Sequence, residues 1–541
     1  MKIELPPISE AERTPLVVTL LANLDLQQQR IQALEDTVLH LRDEIAILQG
    51  QKPRPLIAPS TLEKPAKTPA EPAPKRPGSA KLSKKTTTLT ALEVIIPFPD
   101  PPPGSLSNGY EEYDVQELLL QGKVTRYRRQ RIVTPQGHTL LAPLPADVLP
   151  GSHFGPKLIA YILYQYHHGN VTQPLLLQQL RDLGIDISAG QINNILTENL
   201  DVFHQEKAAI LTAGLAASSY VGVDDTGARH EGHNGYCTAL GNDLFAYFES
   251  TDSKSRLNFL TVLRGTSDGY AINDVTLAYW KRQQLAQDVV ASLSVGLRQF
   301  ACAAAWQAWL AEAGVTTKRQ VRIATEGALL GQLIEQGVSA DLVILSDGAP
   351  QFDILVHASC WIHAERPLAR AIPYNEAHRS AVEKVRRQLW DLYQDLKAYQ
   401  AKPQSGDKAA LEARFDLLVD QKTDYPTTIG SALKEMRDHK ADLLRVLERP
   451  EVPLHNNGTE SIIRGYVKTR KISGSTRSVA GRRCRDTFAS LKKTCRKLGV
   501  SFWDYLTDRL GNVGAIPRLA ALIQQRAAED SSAEHAEAVP A

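Results

Sequence analysis

Residues 455–478 read HNNGTESIIRGYVKTRKISGSTRS. The stretch is a turn, HNNG, that opens a helix with Glu460 in its first turn, and every later charge in it is positive: Arg464, Lys468, Arg470, Lys471 and Arg477. An acid there ordinarily does no more than complement the helix dipole. The surroundings give Glu460 more weight. Residues 461–499 hold twelve Lys and Arg against one acid, Asp486, whereas the whole chain carries only +2 from 62 basic and 60 acidic residues. A solvated charged face usually alternates its signs, and this one does not. The pattern suits a polyanion held by phosphate contacts beside a carboxylate.

Two more acids stand out by position. Asp347 closes the apolar run ADLVILSDGAPQF (340–352), which reads as a central strand covered on both faces. Asp224 ends the first strand of SYVGVDDTGARHEG (219–232), followed by GYCTALGNDLFAYFES (235–250) and LNFLTVLRG (257–265); the three stretches predict an antiparallel meander. An Asp after a strand is also an ordinary turn former. Three converging carboxylates would nevertheless offer hard oxygen ligands, and two divalent ions about 4 Å apart can assist an in-line displacement at phosphorus. Asp353 and Glu365 are alternatives to Glu460 as third ligand. His230, His233 and Cys237 spell H-x-x-H-x-x-x-C, nominally three zinc ligands, but in a glycine-rich strand connection that favours no metal. No phosphate-binding G-x-x-x-x-G-K-[ST] loop occurs, so ATP dependence is not indicated.

The 541 residues, 43 % hydrophobic and 23 % charged, call for several domains. Over 1–50, Ile31, Val38 and Ile45 alternate with Leu34, Leu41 and Leu48 as a and d positions, predicting a coiled coil and a homo-oligomer. Residues 51–105 are rich in Pro, Ala, Lys and Ser and read as a disordered basic linker. Within 106–150 a basic β-hairpin is expected, with Arg128, Arg129 and Arg131 as DNA contacts. Residues 151–205 read as a helix-turn-helix with Ser188 as the second helix's N-cap. A core follows over 206–372, with a helical insertion at about 271–338, then a second insertion over 373–448 and completion of the core over 449–512. The tail, 513–541, turns acidic and Ala-rich from Ala527 and is expected to lack structure. Five scattered cysteines support neither a disulfide framework nor a cysteine zinc module. With no signal segment and no membrane-length apolar run, a cytoplasmic protein without membrane contact is expected.

The order helix-turn-helix, VDDTG, LSDG, CWIHAER, NNGTE-x-x-x-R and K-x-R-K-x-x-G-S resembles the transposase of the insertion-sequence-66 type, over roughly residues 150 to 510. The resemblance implies an α/β multidomain protein: an RNase H-like catalytic core with helical insertions, preceded by the coiled coil and the helix-turn-helix. It implies Asp224, Asp347 and Glu460 as a catalytic, metal-binding triad for Mg²⁺, with Mn²⁺ as a substitute, and places Asp225 as the neighbouring acid of VDDTG. Trp361 and His363 would lie near the site. The family commonly carries a cysteine zinc module before the helix-turn-helix; residues 106–150 here hold no cysteine, and the basic hairpin is expected to replace it in DNA contact. The implied activity is metal-dependent cleavage at transposon ends and strand transfer, on double-stranded element-end and target DNA, with accessory proteins of the same element as further partners. The alternatives are a structure-specific nuclease of the same fold without strand transfer, and an inactive DNA-binding repressor derived from a transposase.

Overall fold

A computed structural model describes residues 151–530 except 297 and 405, together with 117–145 and 148, the backbone of 531–537, and scattered positions nearer the N-terminus. The heptad positions over 31–48 and residues 51–93 of the expected linker lie outside the described residues. The chain divides into two compact units, Met1–Leu119 and Leu120–Ala541, and the strands among the described residues belong to the second.

In chain order those strands are β1 (Arg131–Val133), β2 (Thr139–Leu141), β3 (Tyr220–Gly227), β4 (Tyr236–Gly241), β5 (Ala246–Thr251), β6 (Tyr270–Ala271), β7 (Gln299–Phe300), β8 (Val343–Ser346) and β9 (Val356–Ser359). Five of them make a central mixed sheet, ordered β5-β4-β3-β8-β9. Strands β3, β4 and β5 form the antiparallel meander, and β8 and β9 extend it in parallel from β3. Outside this sheet β1 pairs with β2, and β6 with β7.

The meander corrects the sequence reading. The stretch 235–250 supplies two strands, because Gly241 and Asn242 turn the chain back, and LNFLTVLRG is a helix, Arg256–Arg264. Ser255 caps that helix by accepting from the Asn258 amide, and Phe259, Leu260, Val262 and Leu263 form its buried side. A short apolar run between turns suits a helix as well as a strand, and here the cap decides.

One sheet face packs Val221, Val223, Leu240 and Ile344 into the large apolar core shared with helices Asp201–Ala216 and Lys318–Glu335. The opposite face holds Cys237, Ala239, Ala246 and Phe248 against Ile462, Ile463 and Tyr466 of helix Asn457–Ser473. The insertion after β9 has its own apolar cluster, in which helices Glu376–Ala401 and Asp407–Val419 surround Trp361 and Phe415. Its short helix Lys440–Leu443 covers edge strand β9, where the Arg445 guanidinium donates to the His357 carbonyl at 3.1 Å. An edge covered in this way is closed to strand addition.

Helices Gln173–Asp182 and Ala189–Thr197 are joined through Gly184 (φ +73°), and Ser188 with Gln191 forms a capping box. Gln191, Asn193 and Asn194 lie exposed on the second helix, which carries no cation. Toward the C-terminus, buried Glu206 accepts from Arg509, Tyr505 and the Leu519 amide at 2.9–3.0 Å, tying helices Phe502–Gly511 and Leu519–Glu537 to Asp201–Ala216. The tail from Ala527 is therefore helical as far as Glu537, contrary to expectation; Ala, Gln and Glu are good helix formers, and Leu519 and Ile523 anchor the first turns in the core. No described helix is long and apolar enough to cross a membrane.

Candidate active site

The carboxylates are positioned by strand register. Residues of β3 alternate between faces: Val221 and Val223 enter the large core, which puts Gly222 and Asp224 toward helix Asn457–Ser473. Parallel pairing matches Tyr220 with Val343 and Gly222 with Leu345, and the same register carried two residues further sets Asp347 beside Asp224. Asp224 is half-buried and Asp347 exposed at the strand end. Asp225 turns to the other face, where Thr238 Oγ1 donates to it at 2.6 Å and Gln351 Nε2 at 3.2 Å. Those bonds use its oxygens, so the two acids of VDDTG have different surroundings.

Glu460 reaches this end of the sheet because of two small features upstream. A Cβ on Gly222 would collide with Thr459 Oγ1 and lie 2.7 Å from Asn456 Oδ1, so only glycine lets the helix start settle on β3. The buried Asn456 side chain donates to the Val223 carbonyl at 2.8 Å, next to Asp224. The HNNGTE turn is thus stitched to the strand that carries the first acid.

The site is electrostatically divided. Burial, with added repulsion from Asp347, Asp225 and Glu460, lifts the Asp224 carboxyl to about 6, against a bond from the Asp225 amide that lowers it. Glu460 faces cations instead, Arg464 Nη2 at 2.8 Å and Arg366 Nη2 at 3.9 Å, with the His363 ring at 3.8 Å through Nε2. Burial and Arg366 hold His363 below its usual value, favouring the neutral ring. Among the described residues, no three His, Cys, Asp or Glu side chains are gathered as a metal site. The donors are nonetheless hard oxygens suited to Mg²⁺, and the shared field at Asp224 is the uncompensated charge that a divalent cation would neutralise.

The other sequence candidates separate clearly. Lys468, Lys471 and Arg477 are exposed, as are Arg128, Arg129 and Arg131 on the hairpin. Arg464 is tied to Glu460, and Arg470 donates to Thr226 Oγ1 at 3.3 Å beside the end of β3. Trp361 is fully buried and donates to the Leu443 carbonyl, so its role is packing, while its neighbour His363 reaches the site. Asp353 pairs with Arg256 and Arg282 at 3.9 and 3.8 Å, and Glu365 with Arg386. Cys237 is buried in the apolar layer and His230 bonds Thr476 Oγ1 at 2.8 Å, so the H-x-x-H-x-x-x-C residues form no ligand set. Sequence reading missed Asn456, Arg366 and Gln351 as site neighbours. Asn456, within NNGTE, and Arg366, at the end of CWIHAER, lay inside motifs that carry the resemblance; Gln351 lay outside them.

Residues 332–483 match the pattern of the family described as Transposase IS66 family, a span that contains Asp347 and Glu460 but not Asp224. The chain is also 41 % identical over 322 residues to a protein of Sinorhizobium fredii named "Uncharacterized protein y4jO", a stretch that is 59 % of this chain and 100 % of that one.

Proposed function

Because the chain belongs to the IS66 family of transposases, we propose that it cleaves DNA at the ends of a mobile element and transfers the freed strand into target DNA. The supporting observation is that Asp224, just past the parallel pairing of β3 with β8, and Asp347, just after β8, share one register, that both Asp347 and Glu460 add to the repulsion felt at Asp224, and that Asn456, four residues before Glu460, bonds the Val223 carbonyl. The strand order β5-β4-β3-β8-β9, with parallel strands added to an antiparallel meander and helices on both faces, fits an RNase H-like core.

Asp224, Asp347 and Glu460 would hold Mg²⁺, or Mn²⁺ in its place, which supplies charge neutralisation and Lewis-acid polarisation at a phosphodiester. To join that set, Glu460 exchanges its contacts with Arg366 and Arg464, freeing both guanidiniums for phosphate oxygens. Beyond Arg464, Lys468, Lys471 and Arg477 continue an exposed cationic path for the backbone of the bound duplex. Arg470, bonded to Thr226, holds the helix against β3. Cleavage exposes a 3′-OH, and the same displacement at a target phosphate, with that hydroxyl attacking and the target's 3′ oxygen leaving, joins the strands; one site serves both steps.

The hairpin and the helix pair 173–197 divide DNA contact in this reading. Arg128, Arg129 and Arg131 supply phosphate contacts. The exposed Gln191, Asn193 and Asn194 offer amides of the kind that read base edges. The N-terminal heptads would provide a homo-oligomeric link, and proteins of the same element are further candidate partners.

The test incubates purified protein and Mg²⁺ or Mn²⁺ with a duplex carrying the DNA that flanks the gene and a target plasmid, alongside Asp347→Asn. Nicked and joined products lost in the variant are expected. Cleavage without joining would favour a nuclease, and binding without cleavage by either protein would favour a repressor.

A further inference from the structure

Behind Asp347, on the other side of its strand, runs a chain of buried hydrogen bonds. The Gly348 amide lies 3.1 Å from Ser346 Oγ; Ser346 Oγ lies 2.9 Å from His357 Nε2; and His357 Nδ1 lies 3.0 Å from Asp442 Oδ2. Ser346 is fully buried and His357 is 6 % exposed. Serine, histidine and aspartate in this order resemble a hydrolase triad, but a nucleophile must meet substrate, and this hydroxyl sits in the sheet.

The network has one fully satisfied polarity. Burial would raise the Asp442 carboxyl, but bonds from His357 and His439, with the charge of Arg445, outweigh it and hold the group below the ordinary carboxylate range, so it is ionised and accepts from Nδ1–H. With that tautomer, Nε2 accepts from the Ser346 hydroxyl, and Ser346 Oγ accepts from the Gly348 amide. Every donor then has an acceptor.

The chain joins two regions that share no sequence neighbourhood. Asp442 belongs to the helical insertion, whereas Gly348 is the turn glycine (φ +92°) directly after Asp347. The turn is also held from the other end, since the Ala349 amide donates to Asp347 Oδ1 at 3.1 Å. The insertion grips β9 as well, through Arg445 on the His357 carbonyl at 3.1 Å. A displacement of the insertion would therefore reach the Asp347 turn through His357.

We infer that His357 is a positioning residue: with Ser346 it transmits the placement of the helical insertion, through Asp442, to the turn that orients Asp347. This rests on the reading of Asp347 as a metal-binding carboxylate, so the test includes a readout that does not need DNA cleavage. Three variants separate the links. Ser346→Ala removes the bond to Gly348; His357→Asn keeps an amide near the Nδ1 position but loses Ser346; His357→Gln keeps a polar atom near the Nε2 position but loses Asp442. Each is measured by hydrogen–deuterium exchange over 346–352, by thermal melting, and by the Mg²⁺ concentration giving half-maximal cleavage, with wild type and Asp347→Asn as controls.

Expected are faster exchange at 347–349 in Ser346→Ala and His357→Asn, a rise on the order of ten-fold in the Mg²⁺ requirement, and partial rescue in His357→Gln. Unchanged exchange at 347–349 in Ser346→Ala overturns the inference, whether or not the protein cuts DNA. So does a loss of cleavage that tracks the melting temperature alone with no change in the Mg²⁺ midpoint. If the variants exchange as expected but wild type cuts nothing, the structural link stands and the transposase reading of the site falls.

Discussion

The hairpin Arg131–Val133/Thr139–Leu141 and the segment from Asn457 to Lys497 are both strongly cationic, and they hold their charge in different ways. Residues 123–145 contain Lys123, Arg126, Arg128, Arg129 and Arg131 with no acid, and both strands are exposed throughout. In the helical segment much of the charge is committed to the protein. Arg482 pairs with Asp252 at 3.1 Å, Arg485 donates to the Gly474 carbonyl and Ser473 Oγ at 3.0 Å, Lys492 donates to the His167 carbonyl, and Lys497 to that of Asn242. Burial, helped by Lys493 and Lys468, pushes the Lys492 ammonium down to about 8. A run of positive residues is therefore not a run of free charge. Some of these side chains bridge helices by capping carbonyls, and the rest face solvent.

The anchoring of the helical segment is where the largest effect is expected. Gly222→Ala puts a methyl against Thr459 and Asn456, both buried, and must lift the start of helix Asn457–Ser473 from β3. The overpacking should cost about 1–3 kcal/mol. Displacing Glu460 by an ångström or so should lower cleavage by about 100-fold. Asn456→Ala leaves the Val223 carbonyl unpaired in a buried place, at a cost of about 1–3 kcal/mol. Melting curves with a cleavage assay check both; near-wild-type cleavage in Gly222→Ala would mean that this helix does not set the site.

The two kinds of cation should part in a salt titration of DNA binding. Replacing Arg128 and Arg131 together with Ala, and leaving Arg129, whose Nε donates to the Ala142 carbonyl, should flatten the dependence of log affinity on log salt by up to about 0.9 for each phosphate these side chains neutralise, with stability within about 0.5 kcal/mol of wild type. Lys468→Ala, Lys471→Ala and Arg477→Ala should each do the same on a smaller scale. Arg485→Ala should do the reverse, lowering the melting temperature while leaving the salt slope in place. If Arg485→Ala flattened the slope as Lys471→Ala does, the division between committed and free cations would fail.

That division shows what could be read in advance. The places of Asp347 and Glu460 were legible because strand ends and helix starts leave local marks: an apolar run stopped by Asp-Gly, or Asn-Asn-Gly before an acid. Asp224, read as the end of its strand, instead lies inside β3, which pairs with β4 as far as Gly227. Which acid of VDDTG faces the helix emerged only from the register that pairs Asp225 with Thr238. Arg366 and His363 at Glu460 come from a helix nearly a hundred residues earlier; CWIHAER marked the segment and the resemblance placed His363 near the site, but which of its side chains meet Glu460 emerged only from the packing. The strand assigned to 257–265 failed for a related reason: its apolar residues fit either period, and the choice fell to Ser255.

The smallest effect concerns acid. His204, on helix Asp201–Ala216, is held at about 4 by burial and then by Arg483, with Lys207 adding to the shift and Asp201 opposing it. Its ring contacts are Thr487 Oγ1 at 2.8 Å and Cys484 on the cationic helix Val479–Lys497. Because the unfolded chain takes up this proton near the ordinary value of 6.5 and the folded one only near 4, the unfolded state binds more protons between those values. Stability from His204 is thus present above 6.5 and is lost as the pH falls toward 4. Buried His167, also depressed, acts in the same direction, whereas Asp486, whose carboxyl burial pushes up, opposes it. His204→Asn keeps a donor for Thr487 and removes the titration, so its melting temperature should decline less steeply than that of wild type between pH 6.5 and 4. An equal decline in both would mean that burial beside Arg483 does not keep the His204 ring neutral in the folded protein.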